Sequence, residues 1–181
     1  MFVQKELREK NIAEYLLYMW QVEDMIRAAG LDGDRLYDAV IKVSGRNDDE
    51  CREWKQWYDD LIEMMRTEGK TESGHLQINE NVLILLEDLH TRLLNSHKQP
   101  EYRDLYYKAL PFIVEFRAKN HSTENDELRD CFNMLYGVWL LRVQGKEVST
   151  STAQAVKAVS AFIGKLAVLY REDKEGTLDL E

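Results

Sequence analysis

The sequence predicts an all-α fold, a single-domain antiparallel bundle of about seven helices. Two observations carry this prediction. Apolar residues recur at three- and four-residue steps through every long segment, which places them on one face of a helix. The 181 residues include only two prolines and nine glycines, and so few breakers favour long helices over many short strands. A chain of this length with 44% apolar residues can bury a sizeable core without disulfides or a structural metal.

The first two helices are predicted near the N-terminus. The first runs from Val3 or Glu6 to Ala29, and the second starts after Asp34, which can cap it, and ends near Val43. Their apolar stripes are Ile12, Leu16, Met19, Val22 and Ile26 in the first helix, and Leu36, Ala39, Val40 and Val43 in the second.

The third helix is predicted from a capping box. Asn47 and Glu50 have the spacing of that motif, with asparagine in place of the usual Ser or Thr, and Gly69 ends the helix. Residues 69–76 form the clearest loop of the chain, and a boundary between two helical halves is placed there as an alternative to one domain over residues 1–171. The apolar stripe of this helix is Trp54, Trp57, Tyr58, Leu61, Met64 and Met65.

The fourth and fifth helices lie on either side of residues 96–99. Asn79 is expected to cap the fourth, which runs to Asn95. Pro100 suits the first turn of the fifth, and Pro111 inside that helix should kink it. Their apolar positions are Val82, Leu85, Leu86, Leu89 and Leu93 in the fourth, and Tyr102, Leu105, Tyr106, Ala109, Leu110, Phe112, Ile113 and Phe116 in the fifth.

Two further helices complete the fold. The sixth is predicted to start at Ser122 or Thr123, and the seventh at a capping box of Ser151 and Gln154, running to Arg171. The seventh is rich in alanine, so we expect it to approach the sixth closely. The acidic tail, residues 172–181, is expected to fray. The glycines that this close contact would use are Gly137 and Gly164.

Charge and cysteine content indicate where the protein acts. There are 33 acidic and 24 basic residues, a net charge of −9, and this field repels phosphate backbones and anionic membrane surfaces. We therefore expect neither a nucleic-acid nor a membrane partner. Cys51 and Cys131 lie in helical patterns without a CxxC partner and suit a reducing compartment. The apolar runs Tyr15–Trp20 and Val82–Leu86 are too short to span a membrane, so a cytoplasmic protein is predicted.

One pair of residues has metal-ligand spacing on a predicted helix. Glu87 and His90 form Glu-x-x-His, which projects both side chains from one helix face, and di-iron helical bundles use this motif twice. The other match, Glu72 with His75, falls in the loop. An exposed or interface polar pair is the preferred interpretation, so we expect no metal and no cofactor. Other helix carboxylates, which nothing in the sequence marks as inward-facing, are Glu14, Glu23 and Glu115.

Arg92 and His97 are separated by four residues, a spacing that resembles the Arg-x4–6-His motif of the helical HEPN ribonuclease families. There an arginine and a histidine act on RNA phosphodiesters, so the resemblance implies candidate catalytic roles for Arg92 and His97. Those families usually place a polar residue directly after the arginine, where this chain has Leu93. The preferred interpretation is a helix C-terminus that carries favourable basic residues.

Aromatic residues are numerous enough to line a ligand pocket, although at helical spacing such residues are more often core. The sequence has no complete phosphate-binding loop, no Gly-x-Ser-x-Gly and no zinc-spaced Cys/His array. The aromatic set is Trp20, Trp54, Trp57, Tyr58, Tyr106, Tyr107 and Trp139.

Three segments together are similar to one family: Asn11–Asp24, Leu86–His90 and Tyr136–Leu141. They resemble an uncharacterised bacterial domain-of-unknown-function family of about this length, over nearly the whole chain. The resemblance implies a cytoplasmic bacterial protein with no established activity, and it supplies no catalytic residues.

Three functions stay open at this point. The preferred one is a non-enzymatic cytoplasmic binding or scaffold protein that self-associates as a homo-oligomer. The second is a helical enzyme, either metal-carboxylate or HEPN-like. The third is a small-ligand binder with an aromatic pocket between helices.

Overall fold

The all-α fold is confirmed. The computed structural model describes residues 3–120 and 126–181, and it is 80% helical with no strand among those residues. Within the described residues there are eight α-helices, where about seven were predicted. They are α1 (Val3–Lys10), α2 (Ile12–Ala28), α3 (Gly33–Leu36), α4 (Asp48–Thr67), α5 (Gln77–Asn95), α6 (Pro100–Asn120), α7 (Glu127–Val143) and α8 (Thr150–Glu175).

The chain forms two compact units. One comprises the chain up to Leu17 together with Val82–Glu181, and the other is Tyr18–Asn81. The chain therefore passes from one unit to the other inside α2 and again inside α5. The loop over residues 70–76 lies within the second unit.

The predicted first helix is divided at Asn11. The Oδ1 atom of Asn11 accepts hydrogen bonds from the backbone N–H groups of Ala13 and Glu14, each at 3.2 Å. These bonds satisfy two of the donors that a helix start leaves open, so α2 begins with its own cap. The apolar periodicity predicts one continuous helix through Asn11, whereas the structure has a helix boundary there.

Three caps test the local sequence signals. The capping box of Asn47 and Glu50 is confirmed, with Glu50 N–H to Asn47 Oδ1 at 2.9 Å and Asn47 N–H to Glu50 Oε2 at 3.2 Å. Asp32 caps α3, so the assignment to Asp34 was wrong. Ser149 caps α8, where Ser151 had been predicted. After α3 the chain continues as a π-helical turn over residues 37–41 and a 3-10 turn over residues 42–44.

The start of α7 lies next to the residues that the structure leaves undescribed. The predicted starts Ser122 and Thr123 fall outside the described residues. The cap observed is Asp126, whose Oδ1 accepts the backbone N–H of Arg129 at 2.8 Å. The carboxylate of Asp126 is also favourable at this helix start because the N-terminus of a helix carries partial positive charge.

Helices α6 and α8 are antiparallel neighbours. Near one end Lys165 of α8 pairs with Glu101 of α6 at 2.6 Å. Near the other end Phe116 of α6 and Ser151 of α8 line the same cavity. Pro100 occupies the first position of α6 as predicted, and α6 runs through Pro111 to Asn120 without a break.

The acidic tail has its own contacts. Helix α8 extends to Glu175, and Gly176 ends it with a left-handed φ of 70°. Beyond it, Ser96 Oγ donates to the carbonyl of Leu180 at 2.9 Å, and Lys98 Nζ lies 3.2 Å from Asp179. The segment that was expected to fray therefore contacts the turn between α5 and α6 through a hydrogen bond and an ion pair.

One helix has the length and composition of a membrane span. Among the described residues only α8 meets that test, with 33% of its most apolar window buried. Apolar core helices of globular proteins meet the same test. The expectation of no membrane partner, which rests on the net negative charge of the chain, stays a prediction.

The predicted close contact at Gly137 and Gly164 is wrong. A Cβ added at either glycine meets no neighbouring atom within 4 Å. We therefore expect Gly137→Ala and Gly164→Ala each to raise the free energy of unfolding, by up to about 1 kcal/mol, because alanine has the higher helix propensity. Urea denaturation measures this change.

The matched control is Gly176→Ala. That glycine has a φ of 70° as the cap of α8, so a side chain there is strained. This variant should lose about 1 kcal/mol. A loss of stability in all three variants would contradict the open surroundings of the two helical glycines.

Candidate functional site

The second unit contains a fully buried carboxylate. Glu23 on α2 has no exposed surface. Its Oε1 accepts the backbone N–H of Leu76 at 2.9 Å and Nδ2 of Asn79 at 2.7 Å. Its Oε2 lies 2.6 Å from Nδ1 of His75. Because a buried carboxylate is costly without such partners, these three contacts hold Glu23 in one position.

The imidazole of His75 is oriented from two sides. Its ring stacks on Trp20 with centroids 4.0 Å apart and planes 10° apart, and the side chain stays 22% exposed. When Nδ1 donates to the carboxylate of Glu23, Nε2 is the ring nitrogen that can accept a proton. General bases and metal-ligating histidines are oriented by carboxylates in this manner.

The same face of α2 holds the loop over residues 70–76. Arg27 donates from Nε and Nη2 to the carbonyl of Lys70 at 3.3 and 3.2 Å, and from Nη2 to the carbonyl of Gly74. Trp20, Glu23 and Arg27 follow one another at three- and four-residue steps, so all three reach the loop from one helix face. The loop is thus fixed by side chains rather than by its own backbone alone.

The start of α5 is capped from outside the helix. Glu23 accepts the N–H of Leu76, and Glu68 Oε2 accepts the N–H of Gln77 at 2.7 Å. Carboxylates at this end are favourable because a helix N-terminus carries partial positive charge. Asn79 was predicted as the cap of α5, but it lies in the first turn of the helix. Its side chain is buried, and its Nδ2 donates a hydrogen bond to Glu23.

The Glu-x-x-His pairs are not brought into a metal site. Glu72 is exposed in the loop, and His75 turns to Glu23 instead. Glu87 is half-buried on α5, while Nδ1 of His90 lies 2.6 Å from the hydroxyl of Tyr102. Within the described residues no group of three or more His, Cys, Asp or Glu side chains is placed to hold a metal ion.

His90 lies among aromatic rings of the first unit. The centroids of Tyr106 and Phe162 are 5.1 and 5.6 Å from its own. Burial lowers the pKa of His90 below its ordinary value. Burial, together with a 2.8 Å hydrogen bond to Glu127, raises the pKa of Tyr106 to about 12. Burial also raises the pKa of the Cys131 thiol, which makes it a poor nucleophile at neutral pH.

Arg92 and His97 are in different surroundings. The guanidinium of Arg92 forms a two-point ion pair with Asp173, at 3.0 and 2.7 Å, and its Nε lies 3.1 Å from Asp88. His97 is exposed in the turn after α5. The guanidinium that would have to bind a phosphodiester is thus already paired with two carboxylates. The catalytic roles that the HEPN-like resemblance implies for Arg92 and His97 stay a prediction.

A groove runs between α6 and α8 in the first unit. One cavity along it, of about 260 Å3, is lined almost entirely by apolar surface. A second, of about 150 Å3, lies beside the C-terminal half of α6 and is also lined by Met134 of α7. We call this the α6–α8 groove. The first cavity is lined by Leu105, Lys108, Gln154, Lys157, Ala158 and Ala161, and the second by Phe112, Glu115, Phe116, Lys119, Met134, Ser151, Thr152 and Ala155.

The larger cavity of the groove combines apolar lining residues with lysines. Ala158 and Leu105 are half-buried, whereas Lys108 and Lys157 are exposed at the edges of the larger cavity. Among the described residues that line the larger cavity there is no carboxylate, although acidic residues outnumber basic ones in the chain by 33 to 24.

Sequence reasoning missed the groove and the role of Glu23. Glu23 had been named only as one of several helix carboxylates, and its partners lie more than fifty residues away along the chain. The signal available was a charged residue set among the apolar positions of α2. For the groove, the alanine-rich face of α8 was noticed, but its partner helix was assigned as α7 rather than α6.

Residues 1–177 match the model of the family described as Domain of unknown function (DUF4924). No curated protein and no solved structure matches the chain. The resemblance drawn from three sequence segments is therefore confirmed at the level of the family and its extent.

Glu23→Gln tests the buried carboxylate. The variant removes the charge that three neighbouring groups contact, so the free energy of unfolding should fall by about 1–3 kcal/mol. Glu53→Gln, at an exposed position of α4, is the control and should change it by less than about 0.5 kcal/mol. Equal effects of the two substitutions on urea denaturation would show that burial of Glu23 has no energetic consequence.

His90 should make stability depend on pH. Its pKa is lowered in the folded protein, so the unfolded chain binds the proton first as pH falls. Stability is therefore retained above the unfolded value of about 6.5 and lost as pH falls from there towards the folded pKa. His90→Gln should remove this part of the decline. Unfolding free energies between about pH 8 and pH 5 with equal slopes for both proteins would contradict the assignment.

Proposed function

The chain belongs to the DUF4924 family, and we propose that it is a non-enzymatic helical binding protein. The α6–α8 groove receives an amphipathic helix whose apolar face is flanked by acidic residues. The observation that carries this proposal is the pairing of an apolar cavity with lysines, and with no carboxylate among its lining residues, in an acidic chain.

The shape of the groove supports a helical occupant. The antiparallel helices α6 and α8 both line the larger cavity, and α8 contributes Ala158 and Ala161 there, so a third helix can lie close to the backbone of α8. Recognition of an amphipathic helix in an apolar groove is a recurring mode of peptide binding, read through anchors at helical spacing. Ala158, Ala161 and Ala155 provide the small surface along α8.

The charge of the rim supports an acidic partner. Lys108 and Lys157 stand at the two edges of the larger cavity. Opposite charge across an interface favours encounter and fixes register, whereas a basic partner would be repelled. In the smaller cavity Glu115 and Lys119 pair with each other at 2.6 Å, so this part of the rim adds little net charge.

The surroundings of the chemically capable residues support a binding role rather than a catalytic one. Both oxygens of Glu23 are occupied by structural partners, and Arg92 is held by two carboxylates. The thiol of Cys131 is buried, and burial raises its pKa. These groups serve the fold in the arrangement that the structure gives them.

Two further expectations from the sequence belong to this proposal. A cytoplasmic location is supported by two buried free cysteines, which suit a reducing compartment. A bacterial origin is supported by the resemblance of the three segments. Self-association is the alternative to a separate partner, and light scattering on the purified protein distinguishes them.

A charge-swap experiment tests the groove. Two peptides of about 20 residues share one leucine stripe at helical spacing and differ only in flanks of glutamate or lysine. Fluorescence anisotropy should show binding of the glutamate peptide, and Lys108→Glu/Lys157→Glu should weaken it about tenfold, or ~1.4 kcal/mol, while strengthening binding of the lysine peptide. The control Lys146→Glu/Arg171→Glu makes the same charge change at exposed positions outside the groove.

Two outcomes would overturn the proposal. One is the absence of saturable binding of the glutamate peptide up to about 1 mM. A Kd above that concentration corresponds to a binding free energy weaker than about −4.1 kcal/mol. The other is an equal effect of the two double variants, since this would reflect net charge and not the groove. A dimer that dissociates in Ala161→Trp would instead assign the groove to a second copy of this chain.

A further inference from the structure

The first unit has another open cavity, between the end of α1 and the C-terminal end of α8, which we call the α1–α8 pocket. On α8 it uses residues 167–175, whereas the α6–α8 groove uses residues 151–161, so the two surfaces share no lining residue. The pocket is lined by Arg8, Glu9, Lys10, Ile12, Ala167, Tyr170, Arg171, Lys174 and Glu175.

The pocket gathers positive charge in an acidic chain. Four of its lining side chains are cations and two are carboxylates, whereas acidic residues outnumber basic ones in the whole chain by 33 to 24. A cation near a helix C-terminus is favoured by the partial negative charge there. That effect acts on each helix separately and does not require the cations of two helices to line one cavity. The pocket therefore presents an excess of positive charge to a ligand.

The two arginines of the pocket differ from most arginines of the chain. Most of them pair with a carboxylate, as Arg92 does with Asp173 at 2.7 Å. Among the residues that the structure describes, no carboxylate forms an ion pair with Arg8 or Arg171. The guanidinium of Arg8 lies instead over the ring of Tyr15, 5.5 Å from its centroid. Both guanidiniums therefore have donors left for an anion.

Tyr170 adds a neutral donor beside these cations. Burial raises the pKa of Tyr170 above its ordinary value, against the opposing effect of the Arg8 guanidinium. The phenol is therefore protonated at neutral pH and can donate a hydrogen bond. Nζ of Lys174 lies 6.0 Å from the centroid of the same ring. The remaining cation, Lys10, already pairs with Glu6 at 2.6 Å.

The pocket also has apolar surface. Ile12 and Ala167 are buried, with 2% and 5% of their surface exposed, and they line the pocket together with the half-buried ring of Tyr170. An inorganic anion would leave these side chains without a contact. A ligand that joins an anionic group to an apolar group contacts both kinds of lining residue.

We infer that the α1–α8 pocket binds a soluble phosphate monoester whose organic part is apolar. Such a group carries about 1.5 to 2 negative charges at neutral pH and three acceptor oxygens, whereas a carboxylate carries one charge. A guanidinium binds phosphate through two parallel hydrogen bonds, so Arg8 and Arg171 hold the phosphate and Lys174 adds a third cation. The inference is independent of the proposed function because it concerns a different surface.

Three small probes separate the parts of this inference. Phenyl phosphate carries the charge and a ring, inorganic phosphate carries the charge without a ring, and phenylacetate carries a ring with a single charge. We expect isothermal titration calorimetry of the full chain to give phenyl phosphate a Kd at least about tenfold lower than that of either other probe. A salt concentration of about 50 mM suits the measurement because exposed charges are screened less there than at physiological ionic strength.

Matched charge removals assign the binding to the pocket. Arg8→Gln/Arg171→Gln should weaken binding of phenyl phosphate at least about tenfold. The control Arg142→Gln/Lys146→Gln removes the same charge at exposed positions that do not line the pocket, and should change the Kd less than about twofold. Circular dichroism confirms that both variants keep their helix content.

The two carboxylates of the pocket give a test in the opposite direction. Glu9→Gln/Glu175→Gln removes negative charge from the lining, so it should strengthen binding of phenyl phosphate. A lipid headgroup presents the same phosphate chemistry, so vesicles that contain phosphatidic acid distinguish the two sources. We expect no co-sedimentation with them, because the net charge of −9 opposes approach to an anionic surface.

Four outcomes would overturn the inference. The first is no saturable binding of phenyl phosphate up to about 10 mM, a concentration that corresponds to about −2.7 kcal/mol. The second is equal affinity for phenylacetate, which would exclude a phosphate-selective site. The third is an equal effect of the two arginine-containing double variants, which would reflect net charge alone. The fourth is binding to the vesicles without binding of phenyl phosphate, which would assign these cations to a membrane surface.

Discussion

The second unit depends on the buried carboxylate of Glu23. Once a charge is placed where no water reaches it, its neighbours are restricted to groups that can donate hydrogen bonds. A backbone N–H, a side-chain amide and an imidazole meet that need, and all three come from residues 75–79. The loop and the first turn of α5 are thereby fixed against α2. The stack of His75 on Trp20 and the bonds from Arg27 to the loop carbonyls extend the same contact along one helix face.

In the first unit the antiparallel pair of α6 and α8 has an equivalent role. Near one end the two helices contact each other through aromatic rings, with the ring centroids of Tyr102 and Phe162 5.4 Å apart. The hydroxyl of Tyr102 also forms a hydrogen bond with Nδ1 of His90 on α5. Next to this aromatic pair, α8 presents Ala158 and Ala161, which line the larger cavity together with Leu105 of α6.

The sequence predicted what local interactions determine. Helical periodicity and the capping box of Asn47 with Glu50 act over a few residues, so their outcome can be read from the chain itself. The caps of α3 and α8 were misplaced by two positions because neighbouring polar residues offer the same acceptor. The cap of α5 was missed for another reason: Glu23 lies 53 residues from the N–H that it accepts. The site and the groove arise from tertiary contacts that no periodicity encodes.

The contrast between these two regions bears on function. Around Glu23 the carboxylate is fully buried, and its hydrogen-bond partners belong to the chain itself. Arg92 also uses its guanidinium for contacts within the chain, because it donates hydrogen bonds to Asp88 and Asp173. In the α6–α8 groove the arrangement is opposite, because apolar surface and like-charged lysines are left facing outward together. Removing the apolar surface from water lowers the free energy of the complex, and so does placing carboxylates next to the two lysines at its edges. A single helical partner with an apolar stripe and acidic flanks satisfies both needs, whereas a small neutral ligand would satisfy only the first.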